Sequence, residues 1–151
     1  MTPSSSEHLR GIRVLALCVC RHEGRVLVQD LADPSTGERF LRPFGGAIEF
    51  GERAADAVRR EFREELDVGL LDVSLIGVLE SLFDYDGRAG HEIVFVFDGR
   101  LDDPSLYERA DIVGREAENT PVAGVWLPLA GMGSIGVPLY PTGLAELLAR
   151  D

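Results

Sequence analysis

Long apolar runs are missing from this 151-residue chain. None approaches the ~20 residues that a membrane-crossing helix requires, so no membrane association is expected. Residues 1–7 are polar and lack the apolar centre of a secretory signal. Residues 1–9 therefore read as a flexible tail, and the expected location is the cytoplasm. Cysteine is scarce, with Cys18 and Cys20 the whole complement. They flank Val19 in an apolar run, so on a strand both face one side. Neither their number nor their spacing makes a zinc site. Two residues apart on one strand, they are also poorly placed to bridge each other, and they read as small buried thiols. Internal repeats, low-complexity tracts and linkers are absent too, which leaves residues 10–151 as one domain able to bury its own core.

Positive charge is in short supply: 15 basic residues stand against 26 acidic ones, a formal net charge of −11. A surface this acidic repels nucleic acid, whose binding depends on Lys and Arg neutralising phosphates. A phosphate-bearing substrate would be repelled as well unless something offset the charge, and divalent metal is the obvious candidate. The apolar and charged fractions, 45% and 27%, are those of a soluble globular chain.

What is present is a series of extended segments around one clear helix. Residues 12–20 and 25–31 read as strands joined by the turn His22-Glu23-Gly24, and residues 33–38 as a loop. Residues 40–48 hold short extended pieces broken by Pro43, Gly45 and Gly46. Residues 53–66 lack Gly and Pro and repeat apolar side chains at Ala55, Val58, Phe62 and Leu66, the stripe of an amphipathic helix. Asp56 suits the first turn of that helix, and Gly69 is the expected terminator. Residues 71–85 are extended with a bend at Gly77. Asp86-Gly87 marks a hairpin turn, and residues 91–101 return as a strand that is apolar on both faces. Residues 102–120 read as irregular with short helical pieces, residues 122–129 as a last strand, and residues 144–149 as a closing helix. The predicted fold class is an α/β sandwich: a mixed β-sheet with helices on both faces, α/β/α.

The chemistry is concentrated between Gly45 and Val68. Glu61, Glu64 and Glu65 fall within roughly one 100° arc of the helix. Such clusters are ordinarily solvated faces, and Arg60 can pair with Glu64 one turn on. A hard divalent cation would turn their mutual repulsion into attraction, because Mg²⁺ takes oxygen ligands. Ala57, one turn before Glu61, is expected to leave room for ions and phosphate above the carboxylates. Gly45 and Gly46 lie just upstream, where backbone without a side chain can approach a metal or a phosphate closely.

From Gly46 to Val68 the chain reads GAIEFGERAADAVRREFREELDV. This resembles the Nudix box: Gly, five residues, Glu, seven residues, Arg-Glu, an apolar residue, any residue, Glu-Glu, any residue, Gly, an apolar residue. Gly46, Glu52, Arg60, Glu61, Phe62, Glu64, Glu65 and Val68 fall on the pattern. The departure is Asp67, where the family has Gly, and it concerns the helix exit rather than the chemistry. Arg53 stands where many members have a better N-cap such as Ser. The remaining strands and closing helix also look like this superfamily from Arg10 to Arg150.

The resemblance implies a Nudix-like fold and a metal-dependent pyrophosphohydrolase. Its substrate would be a nucleoside-diphosphate derivative: a nucleotide, a dinucleoside polyphosphate or a nucleotide sugar. It further implies that Glu61, Glu64 and Glu65 bind Mg²⁺, with Mn²⁺ able to substitute and a carbonyl of Gly45 or Gly46 as an extra ligand. Glu52 and Arg60 would form an ion pair that orients the loop against the helix. The general base would be a box glutamate or a downstream acid, with Glu92 preferred over Glu116 and Glu118. His91 reads as structural. For substrate contact the candidates are Arg42, beside the glycines, and Phe83 and Tyr85, which share a strand face and could stack a base. The Pro that ADP-ribose-specific members carry beyond the box is lacking, whereas Tyr85 falls where dinucleoside-polyphosphate hydrolases often have Tyr. No coenzyme A or NADH signature flanks the box. A catalytically silent nucleotide-binding module is the alternative reading, a calcium loop of the Asp-x-Asp-x-Asp-Gly kind is absent, and a homodimer is left open.

Overall fold

The computed structural model describes residues 11–115, 120–130 and 136–150. Along the chain run β1 (Arg13–His22), β2 (Arg25–Ala32), β3 (Arg39–Arg42), β4 (Gly45–Ala47), α1 (Ala54–Leu66), β5 (Leu70–Tyr85) and β6 (Arg88–Leu101). A 3₁₀ turn (Pro104–Glu108), β7 (Asp111–Arg115), β8 (Pro121–Pro128) and α2 (Leu144–Arg150) follow. Both predicted hairpins close through residue pairs with positive φ: Glu23 and Gly24 at 50° and 75°, Asp86 and Gly87 at 53° and 73°. That backbone shape matches the twist of the flanking strands. No helix among the described residues is long and apolar enough to cross a membrane.

The strands pair in the order β5-β6-β1-β2-β8-β7, with β4 on β1 and β3 on β2. β1 and β6 run parallel and the other pairs antiparallel. β1 meets β2 only beside their turn, at Arg21↔Val26 and His22↔Arg25. Beyond that point the two strands part, and the sheet opens into two wings, β5-β6-β1-β4 and β3-β2-β8-β7.

β1 is buried on both faces, and its alternation divides the core. Ala16, Cys18 and Cys20 join Val58, Phe62 and Phe44 beneath α1. Leu15, Leu17 and Val19 join Val94, Val96, Leu144 and Leu148 beneath α2. The two thiols are free, buried and 3.9 Å apart, on one face. Phe62 is fully buried, a contribution of roughly 1.5–3 kcal/mol from its side chain alone.

Three expectations need correction. α1 ends at Asp67 rather than at Gly69. Asp67 sits at φ 52°, ψ 44°, with its amide on the Arg63 carbonyl at 3.1 Å and the Val68 amide on the Phe62 carbonyl at 3.5 Å. Residues 111–115, read as irregular, form β7, which pairs with β8 along its whole length. Only Ile112 and Gly114 of that strand face inward, too few apolar positions to register as a period. Ala57 leaves no open room above the carboxylates: it is fully buried in the core with Val58 and Phe62.

Asp67 carries two penalties, a left-handed backbone on a residue with a Cβ and a negative charge at a helix C-terminus. Asp67→Gly removes both and should stabilise the fold by about 0.5–1 kcal/mol, raising the thermal midpoint by about 1–4 °C. An unchanged or lower midpoint in a thermal melt would show that the helix exit is not under strain.

Candidate active site

The loop leading into α1 is shaped by its two glycines. A Cβ on Gly45, whose φ is +146°, would run into the Ala16 carbonyl of β1; only glycine lets β4 lie this close. A Cβ on Gly46 would stand 2.5 Å from the Cδ of Glu61, so the Glu61 carboxyl rests directly against the Gly46 backbone.

Arg60 ties these parts together. Its Nε and Nη2 donate to the two carboxylate oxygens of Glu52 at 2.9 and 3.0 Å. Nη2 also donates to the Ala47 carbonyl at 3.0 Å. Nη1 donates to Glu61 at 2.9 Å and to Glu64 at 3.2 Å. These five bonds equal the number of N–H groups a guanidinium has. The Glu49 amide adds a bond to Glu52 at 3.1 Å. Hydrogen bonding to Arg60, helped by the Glu49 amide, holds the Glu52 carboxyl below the usual glutamate range. The same bond to Glu52, and then Glu61, raises the Arg60 pKa further.

The three box acids sit differently. Glu64 is largely exposed, Glu61 mostly covered, and Glu65 buried against the inner side of α1. Glu61 and Glu64 converge on one nitrogen of Arg60. Among the described residues no three His, Cys, Asp or Glu side chains gather closely enough to form a ready ligand set. The donors available, carboxylates and the carbonyls of the Gly45–Gly46 turn, are hard oxygens of the kind Mg²⁺ and Mn²⁺ take. The Glu61 carboxyl, packed on Gly46, sets one of them against that turn. By donor chemistry the residues fit such an ion, with Arg60 now occupying the space between Glu61 and Glu64.

A second feature lies on the other side of the sheet. Between the two wings opens a cavity of about 550 Å³. Arg13, Arg42 and Glu92 line it, as do Phe40, Phe83, Tyr85 and Tyr140. Phe40 meets Tyr85 and Tyr140 edge-on at 6.0 and 5.5 Å, and Phe83 meets Tyr140 at 6.2 Å. None of residues 45–68 lines this cavity. Arg13, Phe40 and Tyr140 were not picked out from the sequence. Phe40 alternates with Arg42 on one short strand and could have been; Tyr140 arrives from a distant loop and could not.

Glu92 is 8% exposed, with Arg13 Nη1 at 3.6 Å. Burial raises its carboxyl pKa, and the charges of Arg42 and Arg13 pull it back in part. The parallel register pairs Arg13 with Glu92 and Leu15 with Val94, all on the cavity side. Glu61 packs on Gly46, whose strand partner Ala16 faces α1. Strand alternation thus turns Glu92 away from the box acids and into the cavity. His91 bonds Glu80 at 2.9 Å. Glu116 and Glu118 lie outside the described residues.

The family model described as NUDIX domain matches residues 9–139. The chain belongs to the Nudix family. It is a Nudix hydrolase, acting on phosphorus-containing acid anhydrides. Among solved structures, the MutT NUDIX hydrolase from Burkholderia pseudomallei is similar with a TM-score of 0.66 and 22% identity, over 93% of this chain and 98% of that one. A NUDIX hydrolase from Nitrosomonas europaea follows at 0.65 and 18%, over 92% and 87%. The MutT protein from Methanosarcina mazei Go1 stands at 0.60 and 19%, over 92% and 91%. At these identities the likeness concerns the fold. No curated protein sequence matches significantly.

The raised pKa of Glu92 has a consequence for stability. A carboxyl that binds its proton more tightly folded than unfolded loses stability as pH rises from the unfolded value to the folded one. Glu92→Gln removes that loss. The variant should match the wild type near pH 4 and exceed it at pH 7 in denaturant melts; a deficit at pH 7 would mean that Arg13 and Arg42 outweigh burial.

Proposed function

We propose that this Nudix hydrolase cleaves the phosphoanhydride of a nucleoside-diphosphate derivative with the help of Mg²⁺, or Mn²⁺ in its place. The observation that carries the reading is the Arg60 network, which brings Glu61 and Glu64 to one point beside Gly46. Glu61, Glu64 and Glu65, with a carbonyl of Gly45 or Gly46, would hold the metal. When bound, such an ion polarises phosphoryl oxygens, lowers the pKa of water and offsets the phosphate charge.

The chain's own residues supply binding and position. Glu52 fixes Arg60, and Arg60 fixes the loop through Ala47, so the acids keep their places while substrate comes and goes. Arg13 and Arg42 give an acidic protein a local positive wall in the cavity, where they would hold polar groups of the substrate away from the anhydride that the box acids address. Phe40, Phe83, Tyr85 and Tyr140 present faces and edges on which a nucleobase can stack. Because Glu92 points into the cavity, it is better placed to touch substrate than to take a proton beside the box acids. A box glutamate is then the proton acceptor. The intact set of acids argues against the silent binding module.

The test is a Mg²⁺-dependent hydrolysis screen over nucleoside triphosphates, dinucleoside polyphosphates and nucleotide sugars, with products identified by mass. We expect a nucleoside monophosphate and a second phosphorylated product, full loss of turnover in EDTA, and no fall in the thermal midpoint on chelation. Glu61→Gln, Glu64→Gln and Glu65→Gln should each reduce turnover by orders of magnitude with the fold intact. Near-wild-type rates in all three at low Mg²⁺ would overturn the metal assignment. Nucleotide binding without turnover anywhere in the screen would instead establish a silent module.

A further inference from the structure

One acid on the wall of the cavity is covered and yet short of hydrogen-bond donors. Glu92 is 8% exposed and lines the cavity. It stands in a row across three strands, with Arg13 beside it on β1 and Ser81 beside it on β5. Ser81 is already engaged: its hydroxyl lies 3.3 Å from that of Thr142 and accepts the Thr142 amide at 3.4 Å. Arg13 makes an ion pair with Glu92 at 3.6 Å, too long for a hydrogen bond, and is itself half exposed. Among the described residues no donor comes within hydrogen-bond distance of the Glu92 carboxylate. A carboxylate has about four acceptor sites, and a covered one without donors is costly. The other acids of the wall differ. Asp33 accepts from Ser35 and from the Asp86 amide, while Glu38 and Asp84 are exposed. Glu92 is thus the covered acceptor that a ligand in the cavity can satisfy.

The surroundings narrow the ligand. The charges of Arg42 and Arg13 both favour the ionised form of Glu92, in which it accepts and does not donate. Two residues along the β5–β6 ladder the Phe83 ring rests on the backbone of Gly90, where a Cβ would collide with it. Tyr140 meets that ring at 6.2 Å. Aromatic walls of this kind suit a flat ring. Arg42, at the end of β3, precedes Gly45 of β4 by three residues, so at most about 11 Å of chain separates the cavity wall from the box turn. A base in the cavity can therefore carry its phosphates toward the box acids. Among the nucleobases guanine presents two neighbouring N–H donors, N1–H and the 2-amino group, which match the two oxygens of one carboxylate. Its O6, next to them, suits an arginine. Adenine, cytosine and uracil each set a single donor group beside an acceptor. Taking the cavity as the nucleoside site of the proposed hydrolase, we propose that Glu92 selects guanine, accepting from N1–H and the 2-amino group while Arg13 donates to O6.

Titration calorimetry with GMP, IMP and AMP on the full chain tests this without turnover. IMP differs from GMP only in lacking the 2-amino group. GMP should bind more tightly than either of the others by roughly 10-fold or more. Glu92→Gln keeps one acceptor and turns the other into a donor, so GMP binding should weaken by roughly 10-fold or more while AMP binding holds or tightens. Retained AMP binding also reports that the variant is folded. Equal affinity for GMP and IMP would overturn the proposal, as would a guanine preference that survives Glu92→Gln. So would a wild type that prefers AMP, the result a protonated Glu92 would give, or one that binds no GMP up to millimolar concentration. Guanine-selective binding with no turnover in the hydrolysis screen would leave Glu92 its role and remove the hydrolase reading. Turnover without base preference would do the reverse.

Discussion

The guanidinium of Arg60 is the contact on which this site depends. Four negatively charged side chains, Glu49, Glu52, Glu61 and Glu64, lie within 4 Å of it. Without a cation among them they would repel, and the loop from Ala47 to Glu52 would have nothing to hold it against α1. The bidentate pairing with Glu52 is the geometry in which Arg and carboxylate bind most strongly. Arg60 is partly covered rather than deeply buried, with a quarter of its side chain exposed, so desolvation takes back only part of that gain. A lysine could not replace it, because one ammonium cannot reach both oxygens of Glu52, the Ala47 carbonyl, Glu61 and Glu64 at once.

β1 divides the labour of the molecule. On one side it receives β4 and α1, and with them the box acids; on the other its Arg13, Leu15 and Leu17 form a wall of the cavity. The parting of β1 from β2 beyond their turn opens that cavity. Glycine is what allows the two sides to approach: Gly45 lets β4 press on β1, and Gly46 gives the Glu61 carboxyl a place on the backbone.

Much of this was legible in the sequence, because the signals were local. Positive-φ pairs at Glu23-Gly24 and Asp86-Gly87, the apolar runs of β1 and β6, and the helical stripe at Val58 and Phe62 each specify their own element. The spacing of the box residues likewise belongs to one loop and one helix. Features made by distant segments were not legible. β7 is a strand because β8 lies beside it, and Tyr140 reaches Phe83 only after the whole sheet has formed. The burial of Ala57, next to an exposed-looking run of charges, depends on how α1 is rolled onto the sheet. The Gly expected to end α1 is present at Gly69, but the chain turns earlier, at Asp67, because the capping bonds to Phe62 and Arg63 form there. Which face Glu92 takes depends on its register with β1.

Glu61 and Glu64, held by Arg60, are the proposed metal-binding face. The most direct measurement is anomalous diffraction from crystals of the protein soaked in Mn²⁺. A manganese peak is expected within bonding distance of Glu61 and Glu64, beside the Gly45–Gly46 turn, with Arg60 Nη1 moved off the two carboxylates and its bonds to Glu52 kept. A peak in the cavity at Glu92, with the box acids still on Arg60, would contradict it.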